Sequence, residues 1–345
     1  MPSILRGLRH AFDAYPHFSV ASVSGVLVVR PSSLGDVVYA LALVSDVARH
    51  RPGLAVDWVA EDSFVDLVRL DPRIRRVVPL SLRRWRHAPL ATATWRDMAA
   101  FRRAMREERY DAILNLQEQV KGAVVSWFAH GTRHGLDRDN IREPIATLVD
   151  HVHHPVSRNL HLVDRCRGVA AAALGYTADG PPRWNFVPPL SAAARPAVPY
   201  ALAFHATSRA DKQWPEAQWC ALATHLARAG FVTLLPWGNA EEEARSRRIA
   251  NGAEGVVVPP RQSLPELATL ARHAEIVVGV DTGLTHLAAA LGTSTVSIFT
   301  TTDPRLAGVA RAGPHARDAG GNGAVPSLAD IVDLCGQLMR QAPRC

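Results

Sequence analysis

The run Val26 to Arg30, VLVVR, is unbroken and β-branched, the pattern of a strand covered on both faces. A turn of small residues, PSSLG, follows it and leads into DVVYALALVSDVARH, whose apolar positions recur with helical spacing. LAVDWVAE, IRRVVPL and DAILNLQ read as further strands, separated by helical patterns such as TWRDMAAFRRAMREERY. Between 181 and 199 the sequence PPRWNFVPPLSAAARPAVP cannot sustain a helix and reads as a connection between domains. The pattern then restarts. YALAFHATS, FVTLLPWG, GVVVPP, EIVVGV and TSTVSIFT are strand candidates, with PEAQWCALATHLARAG and SLPELATLARHA as helices between them. Such alternation predicts an α/β chain of two doubly wound, Rossmann-like domains facing a cleft. The expected divisions are an N-terminal extension over 1–25, a first domain over 26–180, a linker over 181–199, a second domain over 200–326 and a C-terminal helix over 327–345. Ligands of such sheets bind beyond the carboxyl ends of the strands, so the turns that follow strands should carry the chemistry.

Composition narrows the picture. A chain of 345 residues has room for about two cores, and 48% hydrophobic with 21% charged residues is ordinary for a globular protein. No stretch approaches the ~18 apolar residues of a membrane span. The first 25 residues lack the hydrophobic block of a secretory signal, so the expected location is cytoplasmic. Cys166, Cys220, Cys335 and Cys345 form no C-x-x-C pair, which argues against a zinc knuckle or a disulfide framework. The net charge of +7 favours an acidic partner: nucleic acid, anionic lipid or a phosphorylated substrate. Aromatics at 6%, not interleaved with the basic residues, argue against nucleic acid.

Of the 39 Lys and Arg residues only Lys121 and Lys212 are lysine. An ammonium is a compact charge and a guanidinium a planar fork, so a site built around clustered oxygens distinguishes them. Lys212 lies in HATSRADKQWP after a predicted strand, with Thr207 and Ser208 beside it, and these three suit a diphosphate. The turn Asp281-Thr282-Gly283 leads into a helix carrying His286, and the free amides of a helix start form an anion site, although simple capping accounts for the same residues. Trp237, Gly238 and Glu242 follow another strand and offer an apolar wall and a carboxylate for a ribose diol, while an acidic helix start explains the glutamate equally well. In the first half, Ser32, Ser33, Gly35 and Asp36 form a strand-to-helix turn. There Asp36 either favours the helix dipole or accepts a hydroxyl proton. Arg83, Arg84 and Arg86 bunch around Trp85 and suit an acceptor rich in carboxylates or phosphates.

Taken in order, SSLGD, RRWR, HATSRADKQWP, LPWG followed by EEE, and VDTGLTHLAAAL resemble the ADP-heptose:lipopolysaccharide heptosyltransferases, nearest to the type I branch that places the first heptose on Kdo. The resemblance covers nearly everything from residue 26 to the C-terminus. It implies a GT-B arrangement, inverting transfer without metal or other cofactor, an acceptor site in the first domain and ADP-sugar in the second. Its partners would be ADP-heptose and Kdo-lipid A at the anionic cytoplasmic face of the inner membrane, where the protein would sit peripherally. By motif, Asp36 resembles the general base. Thr207, Ser208 and Lys212 resemble the diphosphate ligands, Glu242 the ribose ligand, and Asp281, Thr282, Gly283 and His286 the rest of the donor pocket. Arg83, Arg84 and Arg86, with Gln117, Lys121 and Arg142, resemble the acceptor side. Three departures stand out: Tyr39 with Leu41-Ala42 where the family has His and Leu-Pro, Glu118 in place of Gly, and Thr300-Thr301 in place of Gly-Pro. Other readings are a family member acting on another acceptor, and a Rossmann oxidoreductase. Against the latter, the first strand runs into PSSLG and not G-x-G-x-x-G.

Overall fold

The computed structural model describes residues 25–189 and 196–341. Most of the expected N-terminal extension, the middle of the proline-rich connection and Cys345 lie outside these residues.

The first half runs β1 (Gly25–Val29), α1 (Leu34–His50), β2 (Ala55–Glu61), α2 (Val65–Val68), β3 (Ile74–Leu80), α3 (Leu82–His87), α4 (Thr92–Arg106), β4 (Arg109–Asn115), α5 (Val120–Trp127), β5 (His130–Leu136), β6 (Val152–His154) and α6 (Leu162–Leu174). The second half runs β7 (Tyr200–Phe204), α7 (Glu216–Arg228), β8 (Val232–Leu234), α8 (Ala240–Asn251), β9 (Val256–Val257), α9 (Leu264–His273), β10 (Ile276–Val280), α10 (Gly283–Ala290), β11 (Thr295–Phe299), α11 (Pro304–Ala307), β12 (Ala316–Gly320) and α12 (Leu328–Gln341). Each half builds one parallel six-stranded sheet, ordered β3-β2-β1-β4-β5-β6 in the first and β12-β11-β10-β7-β8-β9 in the second. Read from its own first strand, each sheet has the order 3-2-1-4-5-6. The strand order reverses between β1 and β4 and again between β7 and β10, so each half has its crevice at the carboxyl ends of those two strands.

The central strands β1, β7, β10 and β11 are buried along their whole length, as their continuous apolar runs require. Three strands escaped the sequence reading: β5 (HGTRHGL), β6 and β12 (ARDAG). Their residues are Gly, His and charged types, with no apolar run to mark them, and neighbouring strands recruit them through the backbone. Gly131 in β5 shows the fit: a Cβ there would sit 2.2 Å from the Tyr110 carbonyl oxygen. The arginine run, which followed a predicted strand, is helical in α3.

Helix α1 is the hinge-piece of the architecture. Almost every residue from Val37 to Val47 is buried, because it packs on sheet one, on α6 and on α10 of the second half at once. Such a helix is apolar nearly all round, and DVVYALALVSDV is. Helix α12 returns to the second sheet, burying Ile331, Cys335 and Leu338.

Candidate functional site

The two crevices face each other, and helix starts bring them together. The first turns of α1 and α10 meet at glycines: a methyl on Gly283 would lie 2.5 Å from Leu34 Cγ and 2.7 Å from the Gly35 nitrogen, and one on Gly35 would lie 2.7 Å from His286 Cδ2. These glycines bring the two halves of the protein into contact.

A cleft of about 470 Å³ opens at this meeting point. From the first half Ser33, Gly35, Asp36, Tyr39, Phe64 and Arg83 line it; from the second come Thr207, Ser208, Lys212, Asp281, Thr282, Gly283, His286 and Thr302. A second cavity of about 260 Å³ adjoins it, lined by Arg30, Gln117, Glu118, Gln119, Arg142 and Arg165 of the first half and by Leu306 and Ala307 of the second. Asp36 lines both.

The Asp36 carboxylate is held from behind. Its Oδ2 accepts from the Ser33 amide at 2.9 Å and from the Ser33 hydroxyl at 3.0 Å, and lies 3.2 Å from Arg30 Nη2. Arg30 ends the apolar strand β1, is buried, and also donates to the Leu116 carbonyl. Burial raises the Asp36 pKa, but Arg30 and the Ser33 donors outweigh it and hold the group below its ordinary value. The side chain keeps 32% of its surface open. The helix-start role foreseen for Asp36 is thus real, and it leaves the other oxygen free of these contacts.

Across the cleft, Asp281 is nearly saturated. Oδ2 takes Lys212 Nζ at 2.6 Å and the Thr302 hydroxyl at 2.7 Å, and Oδ1 lies 3.3 Å from His286 Nε2. Its carbonyl accepts from the Thr207 hydroxyl at 3.2 Å. Burial opposes the charge, yet His286, Lys212 and Thr302 hold this carboxyl well below the usual carboxylate range. Asp281 therefore positions Lys212, and an ammonium with three donors has two left for a ligand. Thr282 caps α10 without a side-chain hydrogen bond, which leaves its hydroxyl available at the cleft.

Tyr39, one of the departures, explains itself here. Its hydroxyl lies 2.9 Å from His286 Nδ1 and equally close to the carbonyls of Ala307 and Gly308, and His161 Nε2 reaches the same Gly308 carbonyl. One first-half phenol thus fixes the second-half histidine that faces Asp281. Thr300 and Thr301, the third departure, donate to the carbonyl and carboxylate of Asp211 and so tie down the loop that carries Lys212. Glu118, the second, is paired with Arg165 Nη2 at 2.6 Å, so it adds no unbalanced negative charge to the smaller cavity.

The remaining expected residues divide. Gln117 is buried and accepts from the Ser32 amide at 3.3 Å, and Lys121 Nζ donates to the Ser32 hydroxyl at 2.9 Å. Burial, with Arg30 and Arg86 nearby, lowers the Lys121 pKa. Arg83 reaches the cleft over the Phe64 ring, while Arg84 turns away to Asp97 at 2.9 Å. Trp237 donates to the Pro259 carbonyl, and Glu242 closes its own turn by accepting from the Gly238 amide at 2.8 Å and from Asn239 at 2.8 Å; none of these three lines either cavity. Sequence reading missed Arg30, His161, Arg165 and Thr302 as site residues. Arg30 carried a signal, a cation ending an apolar strand; the others carried none.

A family model described as glycosyltransferase family 9 (heptosyltransferase) matches residues 98–323. The chain belongs to glycosyltransferase family 9. It is a glycosyltransferase, and the oxidoreductase reading falls away. Lipopolysaccharide heptosyltransferase 1 of Salmonella typhimurium is 39% identical over 286 residues, covering 82% of this chain and 90% of that protein. Two solved structures of the Escherichia coli heptosyltransferase WaaC are each 34% identical to this family 9 chain. The one with ADP has a TM-score of 0.84 and covers 91% of this chain and 99% of its own; the one with ADP-2-deoxy-2-fluoro heptose has 0.79, with 92% and 99%.

Proposed function

We propose that this enzyme transfers heptose from ADP-L-glycero-β-D-manno-heptose to a Kdo hydroxyl of Kdo-lipid A, with inversion and without a metal, as a step of lipopolysaccharide inner-core assembly at the cytoplasmic face of the membrane. The observation that carries this reading is that Asp36 lines both cavities, so one carboxylate stands between the cleft that holds Lys212 and an adjoining polar pocket. The larger cleft takes the ADP-sugar. Lys212, aimed by Asp281, and the amides at the start of α10 face its diphosphate, with Thr207, Ser208 and Thr282 as hydroxyl donors. Glu242, with Trp237 and Gly238, stands outside this cleft and is assigned the ribose by the family resemblance alone. The smaller cavity takes the acceptor, whose carboxylates and phosphates meet Arg142 and Gln117 there, with Lys121, Arg86 and, from the larger cleft, Arg83 beyond its lining; Arg84 is held by Asp97.

In the reaction the Kdo hydroxyl oxygen forms a bond to the anomeric carbon on the face opposite ADP. The bond from that carbon to the β-phosphate oxygen breaks, its electron pair leaves with ADP, and the hydroxyl proton passes to Asp36. Lys212 and the helix start stabilise the charge that develops on the departing diphosphate. Asp36 is suited to the task because its second carboxylate oxygen is free of the Ser33 and Arg30 contacts and faces the junction of the two cavities. The test is incubation with ADP-heptose, with and without Kdo-lipid A, in EDTA. ADP release and one added heptose only when Kdo-lipid A is present are expected. Transfer to a different acceptor alone overturns the acceptor assignment, and activity lost in EDTA but restored by Mg²⁺ overturns the metal-free chemistry.

A further inference from the structure

One layer of the first half is dressed for a surface other than water. Helices α3, α4 and α5 cover the face of sheet one opposite α1, held by Phe101, Met105, Val125 and Phe128 against the strands, with Phe101 and Phe128 ring to ring at 6.3 Å. The short 3₁₀ helix Pro144–Val149 packs beside α5. On the outside of this layer stand Trp127 and Leu148, 61% and 82% exposed, with Leu90, Trp95, Val124 and Ile145 also open to solvent. Val120, Val124 and Trp127 recur at spacings of four and three, so α5 presents a continuous apolar stripe. Scattered exposed apolar residues need no explanation, but two tryptophans and several aliphatics gathered on one layer do.

The charges on the same layer identify its partner. Arg86, Arg96, Arg102, Arg103 and Arg106 of α3 and α4 form no ion pair among the described residues. Between Leu82 and Arg106 the only acidic residue is Asp97, which is already paired with Arg84. A second copy of the chain seated here would bring these arginines against their own kind. An anionic bilayer accepts both features: tryptophans settle at the headgroup boundary, aliphatic side chains enter below it, and arginines meet lipid phosphates. The layer also joins the acceptor pocket, since Lys121 on α5 reaches Ser32 beside Asp36.

We infer that the outer face of α3, α4, α5 and the 144–149 turn docks on an anionic lipid surface and so sets the smaller cavity at the level of a membrane-held acceptor. Only the word acceptor rests on the proposed function; the docking itself does not.

The test is sedimentation of the full-length protein with vesicles of phosphatidylcholine alone or with 30% phosphatidylglycerol, at about 50 and 500 mM NaCl. Binding to the anionic vesicles, weakened by salt, is expected, with little binding to the neutral ones. Trp127→Ser with Leu148→Ser should reduce binding to anionic vesicles about tenfold or more. Each of Arg102→Gln, Arg103→Gln and Arg106→Gln should reduce it about fivefold, the figure that follows from the usual worth of a basic residue at such a surface. These variants should keep wild-type turnover on an acyl-free, water-soluble Kdo acceptor. Wild-type protein that ignores anionic vesicles overturns the inference, as do variants that bind them normally, variants that lose turnover on the soluble acceptor, or a solution dimer that the same substitutions dissolve. Vesicle binding without heptose transfer to any Kdo acceptor would instead sink the proposed reaction and leave the docking surface standing.

Discussion

Asp36 and Asp281 both sit where a buried strand turns into a helix at the crevice of its sheet, and the helices concerned touch through Gly35 and Gly283. Their environments differ. Asp36 is braced on one oxygen by Ser33 and Arg30 and keeps a third of its surface open to two cavities; Asp281 is 11% exposed and is engaged by Lys212, Thr302 and His286. One carboxylate is left with something to do, and the other has been used to aim a cation. A short motif of strand, small residues and Asp does not say which it will be; the number of donors brought to it by other segments does.

The largest effect should come from Asp36→Asn. Removing a proton acceptor while keeping its shape should lower kcat at least about a hundredfold, with ADP affinity within about threefold of wild type and folding stability changed by no more than about 1 kcal/mol. Turnover, ADP titration and melting on one preparation decide it, and near-normal turnover would erase the contrast with Asp281. The reverse pattern is expected of Asp281→Asn: stability lower by about 2 to 3 kcal/mol, because Lys212 loses its partner and His286 its acceptor, together with weaker ADP binding. The pH dependence follows from the sign of the shift. A depressed folded pKa contributes stability that is present above the unfolded value of about 3.9 and disappears as pH falls through the folded value. The stability gap between wild type and Asp281→Asn should therefore stay level from pH 8 to about 5 and close only in strong acid. A gap that closes near pH 6 would show that Asp281 is not held as described.

Lys212→Arg comes next. The charge remains, but a planar fork cannot keep the 2.6 Å contact to Asp281 and still meet the diphosphate in the same way. Donor KM should rise about tenfold, the worth of one charge-assisted hydrogen bond, and unchanged kinetics would leave Lys212 without a donor role. The smallest effect is expected of Tyr39→Phe. The ring stays buried beside His161 and His286, and the loss of a hydroxyl that lies 2.9 Å from His286 Nδ1 and from two carbonyls should cost about 1 kcal/mol of stability. ADP should bind a few-fold more weakly through the loosened His286. A melting temperature and ADP affinity both equal to wild type would cut the link from Tyr39 to Asp281.

Much of the site was legible because its residues stand in short segments whose order is local. The rarity of lysine singled out Lys212, and the strand-to-helix turns singled out Asp36 and Asp281-Thr282-Gly283. Pairings across long stretches were not legible. Glu118 looked like a charge out of place until Arg165, 47 residues away, was found against it, and Tyr39 looked like a departure until His286, 247 residues away, met its hydroxyl. The arginine run could not be divided in advance either, since only the packing of α3 sends Arg83 to the cleft and Arg84 to Asp97.

What the sequence by itself determined is the alternation of strand and helix, two parallel sheets, and the turns where chemistry would gather, because apolar periodicity and turn residues act over a few positions at a time. The polar strands β5, β6 and β12, the glycine contact between the two helix starts, and the different fates of two similar aspartates were decided only in the folded chain. Hydrogen bonds and charge pairs depend on ångström-scale distances between residues that are remote along the backbone, and no local pattern encodes those distances.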